Sequence, residues 1–232
     1  EIVYEEKNRS MDSPFSQAFE FYSKNFFKNH PYGQQTILGS VEHLKNPSLS
    51  KMKDYFNQYY VASNMALILT GDINIEKVIP LIEEKFGGWR TGESPKPLNI
   101  DENSFSGREF IEKNMTPIKV GTIGFRTVPS SHEDVPSIDL CVNLLTNESK
   151  TGLLDNLVVT GQIQSVGIMN TTYVDHGGVT FYHFPNQGGQ LLIDSENLIH
   201  EQIQKLKKGD FSDDFLNAVK LMMARDFENS IE

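Results

Sequence analysis

The sequence has little that would suit a disulfide framework, a membrane span or a nucleic-acid interface. Its single cysteine, Cys141, cannot form an internal disulfide and assigns no redox compartment. The longest purely apolar run, MALIL at 65–69, is far shorter than the roughly 18 residues that a bilayer requires. Lys and Arg number 21 against 31 Asp and Glu, a formal net charge of −10 without a basic stretch. No transmembrane segment is therefore predicted, and nucleic acid is disfavoured as a partner.

Residues that could bind a metal or attack a substrate are few and scattered. Cys141 lies in the apolar stretch SIDLCVNLL, which favours a small core residue over a nucleophile. No two histidines stand four residues apart, the helical spacing that lets two imidazoles reach one zinc ion. His176 and His183 lie on a predicted hairpin that could bring them together, but without a third ligand a hydrogen-bonded or solvated role is favoured. His30, directly before a proline, is interpreted as a turn residue.

The first ninety residues predict helices around one buried strand. Ser13 and Pro14 supply an N-cap and a first-turn proline, so the acidic stretch before them is predicted to be a separate helix. The run NMALILTGD at 64–72 predicts a buried strand, and Asn74 begins a helix after it. Four aromatic residues recur at helical spacing and predict a core helix: Phe15, Phe19, Tyr22 and Phe26.

The stretch 94–106, which contains two closely spaced prolines and little hydrophobic periodicity, predicts a linker. After it, IKVGTIGFRTV predicts one strand, and QSVGIMNTTYV and GVTFYHFPN predict an antiparallel pair joined by the turn DHGG. Helical patterns lie between and after these strands, and Ser212 caps the last helix. Because strands and helices do not alternate steadily, we predict an α+β fold with a two-layer antiparallel sheet packed by helices.

Three blocks in a fixed order, HPYGQQTILGSVEHLKN, YYVASNMALILTGD and EKFGGW, resemble the pitrilysin and insulinase family of zinc metallopeptidases, the inverzincins. The later part, from IGFRTVPSSHEDVPSIDLCVNLLTNE to KTGLLDNLV, resembles the start of the next domain in that family. The resemblance implies the mitochondrial-processing-peptidase-like metallohydrolase fold. It assigns 1–93 to the C-terminal half of a catalytic-type domain, 94–106 to a linker and 107–232 to the first part of the following non-catalytic domain.

The resemblance also implies one metal ligand. Zinc in this family is held by HxxEH on one helix and by a glutamate on a later helix of the form VxxEExxxxxDxP, which IVYEEKNRSMDSP at 2–14 matches. Glu6 takes the position of the third ligand. HxxEH is missing from this sequence, so no catalytic residue is assigned and zinc is expected in the intact parent but not in this chain alone. From the residues alone, 1–8 also fit an ordinary charged, solvated helix end.

The resemblance implies a fragment of a zinc-dependent endopeptidase that acts on peptides or small proteins, in which this chain is a non-catalytic, chamber-forming and substrate-contacting portion. Its partners would then be the substrate and the missing peptidase half or another subunit, in an extracytoplasmic, periplasmic location. The alternative is a non-catalytic peptidase-like subunit that serves as a structural or partner-binding module. An HxxEH encoded upstream of Glu1 would favour the enzyme. A third interpretation is an unrelated α+β binding domain, which the absence of a packed strand at 64–70 would favour.

Overall fold

The computed structural model of the protein describes residues 2–96, 98, 100–114 and 118–231. The chain divides into two compact units, Glu1–Met115 and Thr116–Glu232. The predicted linker at 94–106 lies within the first unit, and its Pro97 is outside the described residues. The assignment of domains from the sequence stays a prediction. Among the described residues, no helix combines the length and the apolar character that a bilayer crossing requires.

Helices are the regular secondary structure of the described part of the first unit, and its remaining residues form turns and loops. Its α-helices are α1 (Ile2–Asp12), α2 (Pro14–Phe26), α3 (Pro31–Gln34), α4 (Val41–Lys45), α5 (Leu49–Tyr59) and α6 (Ile75–Phe86), and a short 3-10 helix spans Ala62–Asn64. The break between α1 and α2 is the predicted one, because the Ser13 hydroxyl accepts a hydrogen bond from the Ser16 amide at 3.3 Å and Pro14 begins α2. The prediction of a four-residue core face on α2 is wrong. Phe26 is buried beside Phe27 and Phe105, whereas Phe15 and Phe19 are exposed, because the segments that α2 contacts leave those two side chains uncovered.

The prediction of a buried strand at 64–72 is also wrong. The run is exposed, and no strand in the described ranges pairs with it. A strand is buried only when neighbouring strands and a second layer cover it, and the one described sheet belongs to the second unit. The helix predicted after it is confirmed, because the Asn74 side chain accepts a hydrogen bond from the Lys77 amide at 3.1 Å and α6 ends at Phe86.

The second unit contains an antiparallel sheet of β1 (Gly121–Thr127), β2 (Ser165–Thr172) and β3 (Gly177–Phe184), in the order β1-β3-β2. The hairpin predicted around DHGG is confirmed. The helices are α7 (Val135–Leu145), α8 (Asp155–Val159), α9 (Leu192–Lys208) and α10 (Asp213–Ile231). One row across the sheet, Ile123–Phe181–Ile168, contributes to a core shared with Leu154 and Ile199. This arrangement confirms the α+β fold class.

A buried carboxylate fixes the loop between α7 and α8. Asp155 accepts hydrogen bonds from the Thr146 hydroxyl at 2.8 Å and from the amides of Asn147 and Gly152, both at 3.0 Å. Gly152 lies so close to the Leu145 carbonyl that a Cβ there would collide with it. The loop therefore depends on one charged side chain and on one residue without a side chain.

The connection 95–101 is expected to be the first site of limited proteolysis. Before it, the Ser94 hydroxyl donates to the Asn64 side chain at 3.1 Å; after it, Glu102 accepts hydrogen bonds from the amides of residues 28–30 at 2.7 to 3.0 Å. The described residues between these anchors have no regular secondary structure, so few contacts protect them. Mass spectrometry of a subtilisin time course would locate the cut. A first cut in the hairpin turn 173–176 would contradict this prediction.

Candidate functional site

Glu6, the predicted zinc ligand, lies on the exposed side of α1. Glu5 is also exposed, whereas Lys7 is buried, with its ammonium nitrogen 3.1 Å from Glu20 Oε2 and 3.4 Å from Thr36 Oγ1. Since a helix turns by about 100° per residue, burial of Lys7 orients this part of α1 and leaves both glutamates in solvent. The helix thus presents carboxylates outward from an anchored position.

The described residues do not form a zinc site by themselves. Structural and catalytic zinc sites take three or four protein ligands, commonly including imidazole or thiolate. In residues 2–96, 98, 100–114 and 118–231, no group of three or more His, Cys, Asp or Glu side chains is arranged to hold a metal ion. Glu6 offers one oxygen donor, and its neighbour Glu5 projects from the helix in a different direction. No catalytic step through zinc can therefore be assigned to these residues.

The two histidines of the hairpin are not brought together. His176 directly precedes β3 and His183 is seven residues further along that strand, a separation of about 23 Å. His183 is buried, and its Nδ1 lies 2.8 Å from the Ser195 hydroxyl. Because that hydroxyl donates to the Leu192 carbonyl at 2.9 Å, it accepts the Nδ1 proton of a neutral imidazole. Burial lowers the pKa of His183 to about 4, and the residue is a hydrogen-bonded core histidine.

The two remaining candidates, His30 and Cys141, do not form a catalytic or metal-binding site among the described residues. His30 is a turn residue as predicted, because its Nδ1 accepts a hydrogen bond from the Tyr32 amide at 3.3 Å where α3 begins. The interpretation of Cys141 as a core residue is wrong, since it is exposed on α7 beside Ile138 and Val142 in an open apolar groove. Partial burial raises the pKa of its thiol, which disfavours the nucleophilic thiolate form.

The feature that sequence reasoning missed is a set of exposed apolar residues in the first unit. They occupy three segments, 49–60, 65–69 and 75–89, which we call the apolar segments. Sequence reasoning predicted burial for the run at 65–69, because apolar composition does not reveal whether the covering layer belongs to the same chain. The continuous run 65–69 was the available signal, since such runs are typical of strands that are covered on both faces.

Comparison with known families and proteins gives consistent matches over most of the chain. A family described as the Peptidase M16 inactive domain matches residues 48–223. The zinc protease PqqE of Helicobacter pylori is 22% identical over the whole chain, which covers 53% of that protein. The beta subunit of the mitochondrial-processing peptidase of Saccharomyces cerevisiae is 25% identical over 94% of the chain, which covers 50% of that protein. The chain thus spans about half the length of these curated relatives.

Solved structures share the fold at low sequence identity. A protease from Helicobacter pylori matches 98% of this chain with a TM-score of 0.83 at 22% identity, and 56% of that chain is covered. The periplasmic protease PqqL of Escherichia coli gives 0.75 at 14% identity, with 98% and 26% covered. A chain of complex III2 from Candida albicans gives 0.79 at 12% identity, with 99% and 56% covered. These likenesses confirm the expected fold, so the exposed run at 64–70 does not indicate an unrelated domain.

Proposed function

Because this chain belongs to the family of the Peptidase M16 inactive domain, we propose that it is the non-catalytic portion of a zinc-dependent endopeptidase that acts on peptides or small proteins. In this proposal it contributes part of the chamber wall and contacts the substrate, while a second polypeptide half carries the remaining catalytic groups. The observation that carries the proposal is the family match over 48–223, together with a relative named a zinc protease that is about twice as long.

Glu6 would be the one group that this chain adds to the metal centre. Its exposed position on α1 leaves the carboxylate accessible to a metal held by another half, and the buried Lys7 contact to Glu20 holds the helix that carries it. A carboxylate is a suitable third ligand beside two imidazoles. Zinc would supply activation of a water molecule in the assembled enzyme. No residue of this chain is assigned a proton transfer or a nucleophilic attack.

Glu6→Gln should weaken zinc binding in the assembled enzyme, whereas Glu5→Gln should not. The experiment uses the half of the Helicobacter pylori zinc protease that this chain does not match. That half is mixed with this chain to assemble the metal centre. Removal of one of three protein ligands should lower the zinc affinity of the mixture and its hydrolysis of a quenched peptide by at least about tenfold. Glu5→Gln removes the same charge from the adjacent exposed position and controls for electrostatics. Equal effects of the two substitutions would contradict the role of Glu6.

A non-catalytic structural subunit is the second candidate function. The matches to a subunit of the mitochondrial-processing peptidase and to a chain of complex III2 favour it, since both proteins belong to larger assemblies. The partner of such a subunit would bind this chain without forming a metal site. Stable association of the two halves without zinc binding or peptide hydrolysis would therefore favour this alternative over the peptidase.

A further inference from the structure

Residues 102–113 of the first unit, which we call the strap, follow the connection 95–101. The strap has no regular secondary structure, and its residues are exposed apart from the half-buried Glu102 and Phe105. Even its apolar residues Phe110 and Ile111 are 73% and 49% exposed. Because a segment of this kind is not held by a core, its position depends on a small number of specific contacts.

The Glu102 carboxylate makes three of these contacts. Its Oε1 accepts a hydrogen bond from the Lys28 amide at 3.0 Å, and its Oε2 accepts from the amides of Asn29 and His30 at 2.8 and 2.7 Å. These three successive residues lie between the end of α2 and the start of α3. Successive amides that point at one anion form a nest, and their hydrogen bonds to a carboxylate are charge-assisted.

The side chain of Lys28 adds a second point of attachment for the strap. Its ammonium nitrogen lies 2.7 and 2.6 Å from the two carboxylate oxygens of Glu109 and 5.5 Å from the centre of the Phe105 ring. The Phe105 ring in turn lies 5.9 Å from the ring of the buried Phe26. Both partners of the ion pair are well exposed, and such pairs contribute little by themselves. The strap therefore depends most on Glu102.

The contacts of Glu102 can be replaced by water when the strap is released. Lys28 and Asn29 are exposed, so water can take the place of the carboxylate at both amides, and only His30 is buried. Contacts that water can replace break at a lower free-energy cost than the packing of a core. The strap therefore belongs to the part of the chain that opens locally while the helices remain folded.

In sequence, the strap leads from the first unit towards β1 of the second. Near the end of the strap, the Lys113 ammonium nitrogen lies 5.0 Å from the centre of the Phe21 ring on α2. From this contact the chain to Gly121, the first residue of β1, spans at most about 28 Å. With the strap released, the connection begins after Ser94, and the chain from there to Gly121 spans up to about 95 Å.

We propose that the Glu102 carboxylate fastens the strap to the amides of residues 28–30, and that release of this contact lengthens the connection between the two units. The strap is then a conformational device that sets the reach of that connection. The proposal concerns this chain alone. It is independent of zinc, of Glu6 and of a second polypeptide half, so its failure would leave the proposed function untouched.

Hydrogen exchange of the chain alone tests the contact. Glu102→Ala should make the amides of residues 28–30 exchange at least about tenfold faster, because they lose their acceptor. Glu102→Gln keeps one acceptor oxygen and should give an increase of at least about threefold. Glu112→Ala removes an exposed carboxylate of the same strap and should leave these amides unchanged. Amides 18–22 within α2 should stay protected in all variants, which shows that the helix remains folded.

Spin labels on the two units measure the reach of the connection. One label is attached to the native thiol of Cys141, which is exposed in the second unit, and the other to Lys24→Cys at an exposed position of α2. Glu102→Ala should increase the width of the distance distribution between the labels about twofold, because a longer connection samples a wider range of distances. Glu112→Ala should leave the distribution unchanged.

Two results would overturn the proposal. Unchanged exchange of the amides of residues 28–30 in both Glu102 variants would show that the carboxylate does not fasten the strap. Faster exchange of these amides with an unchanged distance distribution would show that the strap does not set the reach of the connection. If Glu102→Ala also removes the protection of amides 18–22, Glu102→Gln decides by the same two criteria.

Discussion

Asp155→Ala should lower the free energy of unfolding of the second unit by about 3 to 4 kcal/mol. The Asp155 carboxylate is buried and accepts three hydrogen bonds within the loop that joins α7 and α8. Its removal leaves the amides of Asn147 and Gly152 without their acceptor in a place that water reaches poorly, and each such loss costs about 1 to 3 kcal/mol. Domains of this size are stable by only about 5 to 15 kcal/mol, so the effect should be large.

Urea denaturation of the whole chain, followed by hydrogen exchange of residues 144–157, measures this effect. Asp210→Ala is the matched control, because Asp210 is exposed beyond the end of α9 and its removal should change stability by less than about 0.5 kcal/mol. Asp155→Asn retains acceptor capacity on one oxygen and should fall between the two. If Asp155→Ala is as stable as Asp210→Ala, the carboxylate does not hold the loop.

Acidification from pH 7 to pH 4 should cost the second unit about 2 to 3 kcal/mol through His183 alone. Burial lowers the pKa of His183 from 6.5 to about 4, so the unfolded chain binds the proton more readily than the folded one in this range. The unfolding free energy therefore falls as pH falls from about 6.5 towards 4, by about 1.4 kcal/mol per unit of pKa difference. Desolvation is the main cause of the lowered pKa, since His183 is buried and its ring fills the space that a side chain at position 121 would need; the nearby Glu196 opposes the shift and His200 adds to it.

A comparison of His183→Gln with His43→Gln isolates the contribution of His183 to the pH dependence of the unfolding free energy. The glutamine at position 183 does not titrate, so the variant should be less stable at pH 7 but should lose this part of the pH dependence. His43 is exposed, and its replacement should leave the dependence of the unchanged chain intact. Other titratable groups also contribute to the loss of unfolding free energy in acid. They are present in all three proteins, so their contributions cancel in the comparison. Parallel pH profiles for the unchanged chain and His183→Gln would contradict the prediction.

Capping residues and turn residues in the sequence correctly predicted where several helices begin and where the hairpin turns. Ser13 with Pro14, Asn74 and Ser212 all lie directly before helices in the structure, because capping depends on a side chain and an amide two or three residues away. The turn DHGG likewise joins β2 and β3. Signals of this kind are complete within a few residues, so they do not depend on the rest of the fold.

Burial was predicted less well, because it depends on partners distant in sequence. The run 65–69 and the aromatic residues Phe15 and Phe19 have the composition of a core, yet nothing in the described residues covers them. Cys141 is exposed although its neighbours in sequence are apolar. An apolar pattern indicates that a segment packs against another apolar surface. It does not indicate whether that second surface belongs to the same polypeptide.

The candidate site could be reached from the sequence only through the family resemblance. No spacing of residues within this chain singles out Glu6, since a zinc site is assembled from distant segments and the described residues contribute no complete set. The exposure of Glu6 on an anchored helix was likewise not predictable from an acidic stretch, which fits a solvated helix end equally well. The buried pair His183 and Ser195 was missed because β3 and α9 bring together residues of different elements.

The zinc content of this chain alone shows whether Glu6 needs ligands from another polypeptide half to hold the metal. One carboxylate cannot offset the loss of the waters that zinc gives up on binding, so the chain should retain no stoichiometric zinc after dialysis and should show no zinc-dependent hydrolysis of a quenched peptide. Metal analysis of the unchanged chain and of Glu6→Gln would give the answer. One zinc per chain that is retained on dialysis and lost in Glu6→Gln would contradict the account, because it would place a complete metal site within these 232 residues.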